Sequence, residues 1–333
     1  MWYNPVPILN LRGDCNLNGI LNLNKPKGIT AHDAVAKVRR LAGTKRVGHA
    51  GTLDPAATGV LPICIGAATR VVEYLSDADK AYRASIALGL ATPSYDLETP
   101  PSVIVENGEL ARRSALTITE LEVLLQTFVG PQMQTPPMYS ALHVGGQRLY
   151  ELARAGKEVE RAARSITIYS LKLLSFAPLM IGDTAYPTLE VDIECSKGTY
   201  IRSLAVDIGA RLRAPAVLAA LTRTRSGPFR LEDAHTLEAL AEAAQEGQLA
   251  DLLYPTDYAL TDLPRVELSL DDERRIRMGQ TIPADSAAAE GTLARAYSTD
   301  GLFVAILRLQ AQRWQPDKVF NPDLAPSPIS GEG

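Results

Sequence analysis

Sulfur and imidazole are scarce in this sequence. Its three cysteines, Cys15, Cys64 and Cys195, lie far apart and never as C-x-x-C, so neither a disulfide framework nor a thiolate zinc site is expected. The four histidines, His32, His49, His143 and His235, show no metal-ligand spacing, and no metal is expected. Long apolar runs are missing too: no segment approaches the roughly 18 uninterrupted apolar residues of a membrane span. The opening "MWYNPVPILNLRGD" lacks the basic, apolar and small-residue regions of a secretory signal, which makes a soluble, cytoplasmic protein without a membrane the expectation.

What is present is ordinary globular composition, with 46% hydrophobic and 22% charged residues in 333. That is enough chain for one large domain and a small one, or for two medium ones. The net charge of −4 argues against an indiscriminate nucleic-acid binder. Its distribution is uneven: Met1 to Arg230 carries 26 Lys and Arg against 20 Asp and Glu, and Leu231 to Asp300 carries 5 against 15. Within the basic body, "KVRRLAGTKR" gathers Lys37, Arg39, Arg40, Lys45 and Arg46. Such a cluster either neutralises phosphates or is a solvated helix face.

The stretch "GHAGTLDPAATGVLP", Gly48 to Pro62, sets one carboxylate, Asp54, among glycines and prolines. Gly and Pro disfavour helix and central strand, so the run reads as a shaped loop. On its own, Asp54 either makes a turn ahead of Pro55 or serves chemistry.

Apolar alternation predicts a strand over Gly19 to Asn24. A helix follows, with a Thr30/Asp33 capping box, an apolar face of Ala34, Val35, Val38, Leu41 and Ala42, and Gly43 as its stop. "AYRASIALG", "RSITIYSLKLL" and "TLEVDIEC" read as strands, and "TITELEVLLQTFVG" and "YIRSLAVDIGARL" as amphipathic helices. From Pro131 a long excursion begins with turn formers and becomes helical near Arg148. Strands and helices do not alternate regularly, which favours α+β with a mixed, largely antiparallel sheet flanked by helices over a doubly wound fold. Past Thr256 come a short strand, a short helix "LDDERRIRMGQ" and a hairpin around Asp300-Gly301, a small β-rich domain. The expected organisation is an N-terminal extension over 1–18, a main domain over 19–255 with an insertion at about 131–160, a small domain over 256–320, and a disordered tail over 321–333.

Several separate stretches together resemble one family. "NKPKGIT", "GHAGTLDPAATGVLPICIGAATR", "DKAYRASIALG", "CSKGTYIRSLAVDIG" and "TRTRSGPF" are similar, in order and spacing, to the tRNA pseudouridine-55 synthases, the TruB family. "PPMYSALHVGGQRLYELARAGKEVE" is similar to that family's RNA-gripping thumb loop. The likeness runs from about Gly19 to Phe229 and continues more weakly to Phe320.

The resemblance implies the pseudouridine synthase fold with a PUA-like C-terminal domain, and an enzyme that needs no cofactor and no obligate protein partner. Its substrate would be one uridine in the T loop of tRNA. By the same resemblance Asp54 is the nucleophile, Tyr82 stacks on the target base and is a candidate proton acceptor, and Arg202 is the basic partner of Asp54. Tyr200 and Leu221 line the base pocket, and His49 packs into the T loop. Beside these, Lys27 is a candidate phosphate contact, Arg39 and Arg40 are candidates from the basic cluster above, and Lys25 and Pro26 are expected to brace the catalytic loop. These residue types suit the chemistry. A carboxylate can attack or stabilise at the sugar, a neighbouring cation favours its charged form, and a stacked base must be flipped out before it can be reached. Read without the family, Tyr82 is equally a core strand tyrosine, and an Asp54–Arg202 pair is equally a structural one. Whether Asp54 attacks C1′, adds to C6 or assists elimination stays open.

The chain also departs from the family pattern. "RAPAV", Arg213 to Val217, replaces a Gly-x-Gly-Ala-His run, Thr99 replaces a glycine, and His143 replaces a lysine. Three alternatives remain beside the tRNA enzyme: a guide-RNA-dependent relative acting on ribosomal RNA, an inactive tRNA-binding or folding module, and a glycoside hydrolase. The last usually needs two carboxyl groups, and Asp54 has no evident partner motif.

Overall fold

In the computed structural model, which describes residues 17–320 except 107–109, 111–112, 114, 141, 145 and 285–287, the alternating runs form strands. β1 (Gly19–Lys25) is followed by α1 (Ala31–Leu41), β2 (Val47–His49), β3 (Thr58–Ile65) and β4 (Lys80–Leu88). Then come α2 (Ile118–Gln126), β5 (Gly130–Gln134), β6 (Arg164–Ile181), β7 (Thr184–Cys195) and α3 (Ile201–Arg211). β8 (Ala216–Ser226), β9 (Phe229–Arg230), α4 (Leu237–Gln245) and β10 (Leu253–Tyr254) complete the larger part. The Thr30/Asp33 and Thr117/Glu120 capping boxes are both made, and Gly43 takes a φ of 61° just after α1, as helix ends require.

Across the sheet the strands run β10-β1-β3-β8-β4-β7-β6-β5, with β9 on β8 and β2 on β3. The fold is thus the expected α+β, largely antiparallel. Within this sheet the parallel joint is β3 with β8, where Thr58 faces Thr222 and Gly59 faces Arg223. Alternation along the strands sends side chains to two different cores. Leu21, Leu61, Ile63, Ile86 and Val191 meet the apolar faces of α1, α2, α3 and α4, while Ile20, Val60 and Cys64 join a second cluster with Phe229 and Leu260.

The C-terminal part is β-rich, as expected. β11 (Arg265–Glu267), α5 (Leu270–Arg277), β12 (Ile282–Pro283), β13 (Leu293–Tyr297), β14 (Phe303–Gln310) and β15 (Arg313–Val319) form a five-stranded sheet, ordered β11-β13-β14-β15-β12. It has its own core around Ile276, Ala294, Val304, Leu307 and Trp314. Ile306 and Phe320 leave that core to complete the second cluster of the main body, and Lys318 pairs with Glu73 at 3.0 Å.

Three sequence expectations change. The run Gly48 to Pro62 is a loop only over 50–57, because its ends belong to β2 and β3. Gly59 and Pro62 are tolerated in β3 because pairing on both flanks outweighs local propensity. At Gly59 (φ 100°) a Cβ would lie 2.2 Å from the Arg223 carbonyl oxygen, so the close approach itself requires glycine. The insertion expected from 131 starts later, since β5 pairs with the first residues of β6. α4 carries no expectation from the sequence. Asn18 belongs to the body, buried with its Oδ1 accepting from Ala67 N at 2.6 Å, whereas residues 1–16, the tail 321–333 and the His143 side chain lie outside the described residues. Among the described residues no helix is long and apolar enough to cross a membrane, and no group of three His, Cys, Asp or Glu could hold a metal ion.

Candidate active site

The Asp54 loop is fastened from several sides. From β1, Lys25 reaches beneath it fully buried, its Nζ donating to the carbonyls of Pro26 (3.0 Å), Ile29 (2.9 Å) and Pro55 (3.4 Å). Burial pulls the Lys25 ammonium down to about 8, with the Asp54 charge opposing the fall. The turn before α1 donates Gly28 N to Pro55 O at 2.8 Å, and Ala56 N donates to Glu98 Oε1 at 3.1 Å. From β8, Arg223 donates to the carbonyls of Gly51 (3.0 Å), Thr52 (3.4 Å) and Val60 (2.6 Å). Lone carbonyls of an irregular loop are thereby satisfied by buried cations, in place of a ladder.

Arg202, on the first turn of α3, lies almost wholly out of solvent and places Nη2 3.0 Å from Asp54 Oδ2. Its remaining donors reach Tyr139 O (2.7 Å) and Ser94 O (3.1 Å), and Nη1 stands 3.6 Å from Asp96 Oδ2. Asp96 is itself buried, with Oδ1 accepting from Ser94 Oγ (2.5 Å) and Glu98 N (3.0 Å). Tyr95, just before it, sits at a φ of 66°, a left-handed backbone that is uncommon for a bulky residue and found where structure forces it. Thr99, the departure from glycine, joins this network by bonding Ser94 Oγ at 2.8 Å.

Asp54 keeps 38% of its side chain open to a cleft while lying deep beneath the surrounding chain. Burial pushes its carboxyl up, Arg202 opposes the rise, and Asp96 adds to it. The cleft encloses about 320 Å³ and is lined by Lys27, Asp54, Asp96, Glu98, Arg202 and Leu221, among others. Three carboxylates and a buried guanidinium meeting an apolar wall can accept a flat polar group and hold a nucleophile beside it.

The structure brings Asp54, Arg202, Leu221 and the exposed Lys27 together on this cleft. Tyr82, on β4, is not among the residues that line the cleft; it is only 9% exposed, its phenol pushed up by burial, with the Arg223 charge opposing the rise and the Asp54 charge adding to it. Tyr200 is the N-cap residue of α3 and is fixed by Gln134, which accepts from its N–H (2.8 Å) and donates to its carbonyl (3.0 Å). His49 ends β2, ring edge to face with His32 at 5.4 Å, and burial pulls it down to about 4, so it is neutral at physiological pH. Arg39 and Arg40 occupy the last turn of α1, away from the cleft lining. Arg39 is partly committed to the fold, donating to Val47 O at 3.0 Å, whereas Arg40, Lys45 and Arg46 are exposed. Sequence reasoning gave no role to Arg223 or Glu98; the signal for Arg223 was its place in the stretch "TRTRSGPF".

Comparison with known proteins identifies the family. The model of the TruB family pseudouridylate synthase N-terminal domain matches residues 39–201, and that of the tRNA pseudouridylate synthase B C-terminal domain matches 202–261. The tRNA pseudouridine synthase B of Geobacillus thermodenitrificans is 46% identical over 263 residues, covering 79% of this chain and 85% of that protein. That of Dehalococcoides mccartyi is 44% identical over 308 residues, covering 91% and 97%. Among solved structures, an H/ACA RNP bound to a substrate RNA containing 2′-deoxyuridine superimposes with a TM-score of 0.67 at 23% identity, covering 93% of this chain and 88% of that one, a likeness of fold. With both domain models matched end to end and relatives this similar over most of its length, the chain belongs to the TruB family of pseudouridylate synthases.

Proposed function

We propose that this protein isomerises a uridine of tRNA to pseudouridine, that the target is uridine 55 of the T loop, and that Asp54 starts the reaction. The observation that carries the reading is the Asp54 carboxylate, open to the cleft and held at 3.0 Å by the buried Arg202. The reaction breaks the bond from N1 to C1′ and forms one from C5 to C1′. C5 loses a proton and N1 ends with one, so no oxidant, reductant or cofactor enters the balance. Attack on C1′, addition to C6 and elimination across the sugar all begin with one charged oxygen beside the nucleotide, and Arg202 keeps that oxygen aimed. Tyr82 is the candidate acceptor for the C5 proton. The base reaches these groups only after leaving its stack, with aromatic faces recovering part of the stacking.

The tRNA lies, on this reading, across the cleft mouth, with Lys27 and the exposed Arg40, Lys45 and Arg46 on its phosphates. The segment after β5, with its short helix Leu149–Arg154, grips from the other side as the thumb. The protein works in the cytoplasm, unaided by another chain, as two domains meeting near 256.

The test is incubation of the protein alone with an unmodified tRNA transcript, followed by base-resolution mapping, because mass is unchanged by isomerisation. Pseudouridine at 55 is the expected product. Activity only with an added guide RNA would favour the ribosomal-RNA relative instead, and tRNA binding without product would favour the folding module. The tRNA enzymes that are similar at 44–46% identity favour the first outcome over a guide-dependent one.

A further inference from the structure

Arg223 takes no part in the bond changes of the reaction, yet with Lys25 it is one of two almost completely buried cations beside the Asp54 loop, with 1% of its surface exposed. In register it lies opposite Tyr82 on β4 and opposite Gly59 on β3. Its guanidinium spans the Asp54 loop from Gly51 and Thr52 at the entry to Val60 at the exit. Its charge acts on the Tyr82 phenol across this register pair, and also on Asp54, Lys25, Lys80 and His49. Among the described residues no carboxylate is ion-paired with it. A buried cation held by carbonyls, with no carboxylate partner, is costly. Lys80, buried beside it and bonded to the Ser76 carbonyl at 2.5 Å, adds like charge and raises that cost. An Arg in such a place is retained for its geometry, since its rigid fork reaches three acceptors at fixed angles.

We propose that Arg223 is a positioning residue for the isomerisation, joining the Asp54 loop and the Tyr82 hydroxyl in one frame so that carboxylate and phenol meet the uridine in a set relation. The inference rests on the proposed function. Neither group then has to be organised by the RNA, which is the condition for efficient use of binding energy in the chemical step.

The experiment measures turnover at saturating tRNA, KM and melting temperature for wild type, Arg223→Lys, Tyr82→Phe and the double variant. An ammonium keeps the charge and loses the fork, so Arg223→Lys is expected to lose about tenfold or more in turnover, with KM within about twofold. In the Tyr82→Phe background the same change is expected to cost several-fold less, because the two residues act through one frame. Losses that simply multiply in the double variant, or turnover within about twofold of wild type in Arg223→Lys, overturn the proposal. Gly51→Ala approaches the contact from the loop side and serves even if Arg223→Lys does not fold. At a φ of 86° a side chain there is strained, so relief of that strain is expected to shift the Gly51 carbonyl that Arg223 binds, while the new Cβ itself makes only ordinary contact with Arg223 Nη1 at 3.5 Å. Lower turnover at unchanged KM is expected there too, and wild-type turnover counts against the frame. A wild-type protein that forms no pseudouridine overturns the reading of the site itself and is seen before any variant is compared.

Discussion

Arg202 Nη2 stands 3.0 Å from Asp54 Oδ2, and the same guanidinium is shared with a second carboxylate, since Nη1 is 3.6 Å from Asp96 Oδ2. One cation therefore faces two anions. Arg202→Lys supplies a point charge that cannot serve both directions, and a misplacement of about 1 Å costs on the order of a hundredfold in rate. Turnover is expected to fall by at least that order, with tRNA affinity nearly unchanged. Single-turnover kinetics beside filter binding would check it, and near-normal turnover would show the pair to be structural only.

Asp54→Asn keeps the shape of the side chain and removes its charge. We expect a loss on the order of a thousandfold in turnover, with tRNA binding within a few fold. Substantial residual isomerisation would exclude Asp54 as the initiating group.

The same variant makes a stability prediction. Burial raises the folded-state pKa of Asp54 above its unfolded value, so the folded protein holds more protons between those two values. The ionised carboxylate therefore costs stability at neutral pH, and that cost disappears as pH falls through the folded pKa. Asp54→Asn should melt higher than wild type near pH 7, with the gap closing on acidification. For activity the sign is opposite: the acid limb of the wild-type rate profile should lie above the ordinary Asp value of about 3.9. Asp96→Asn, which removes an anion that raises Asp54, should move that limb down. A limb that stays put would separate Asp96 from the titration.

Binding should weaken with salt by roughly 0.7–0.9 log units per log unit of salt for each phosphate contacted. Neutralising Arg40, Lys45 and Arg46 together should flatten the slope with little change in melting temperature, as all three are exposed. Arg39→Gln should in contrast lower melting temperature, because it gives up the bond to Val47 O. Titrations at several salt concentrations decide this. An unchanged slope in the triple variant returns the cluster to a solvated helix face.

Removing the chain after Asp262 takes Ile306 and Phe320 out of a cluster shared with Ile20, Val60 and Cys64. Truncating one such buried side chain, as in Ile306→Ala, costs about 2–5 kcal/mol. Both changes should lower melting temperature while leaving turnover measurable at saturating RNA. A shortened chain that folds but shows no turnover would place the C-terminal sheet in support of the site.

How legible each part was depends on how far its causes lie apart in the chain. α1 could be read letter by letter, since the Thr30/Asp33 box, the Ala34, Val35 and Val38 stripe and the Gly43 stop all act within one helix. β3 could not, because Gly59 and Pro62 argue locally against a strand and the partners that overrule them are in β1 and β8. Asp54 and Arg202 were joined only by resemblance to a family, as nothing near either residue points to the other. Arg223 and Glu98 stayed hidden for a further reason. They bind backbone carbonyls and a backbone amide, and those acceptors and donors leave no mark on residue identity.

The parallel joint of Thr58 with Thr222 has a consequence in time. Residues 58 and 222 are neighbours in the sheet but far apart in the order of synthesis, and Val60 waits 163 residues for the Arg223 that holds its carbonyl. At roughly 5–20 residues per second, a nascent chain carries an unfastened Asp54 loop for about 10–30 s. Throughout that interval the ribosome-bound chain carries Asp54 without the Arg223 bonds to the Gly51, Thr52 and Val60 carbonyls. The fastening of the Asp54 loop is thus a late event in synthesis, set by the strand that carries Thr222 and Arg223.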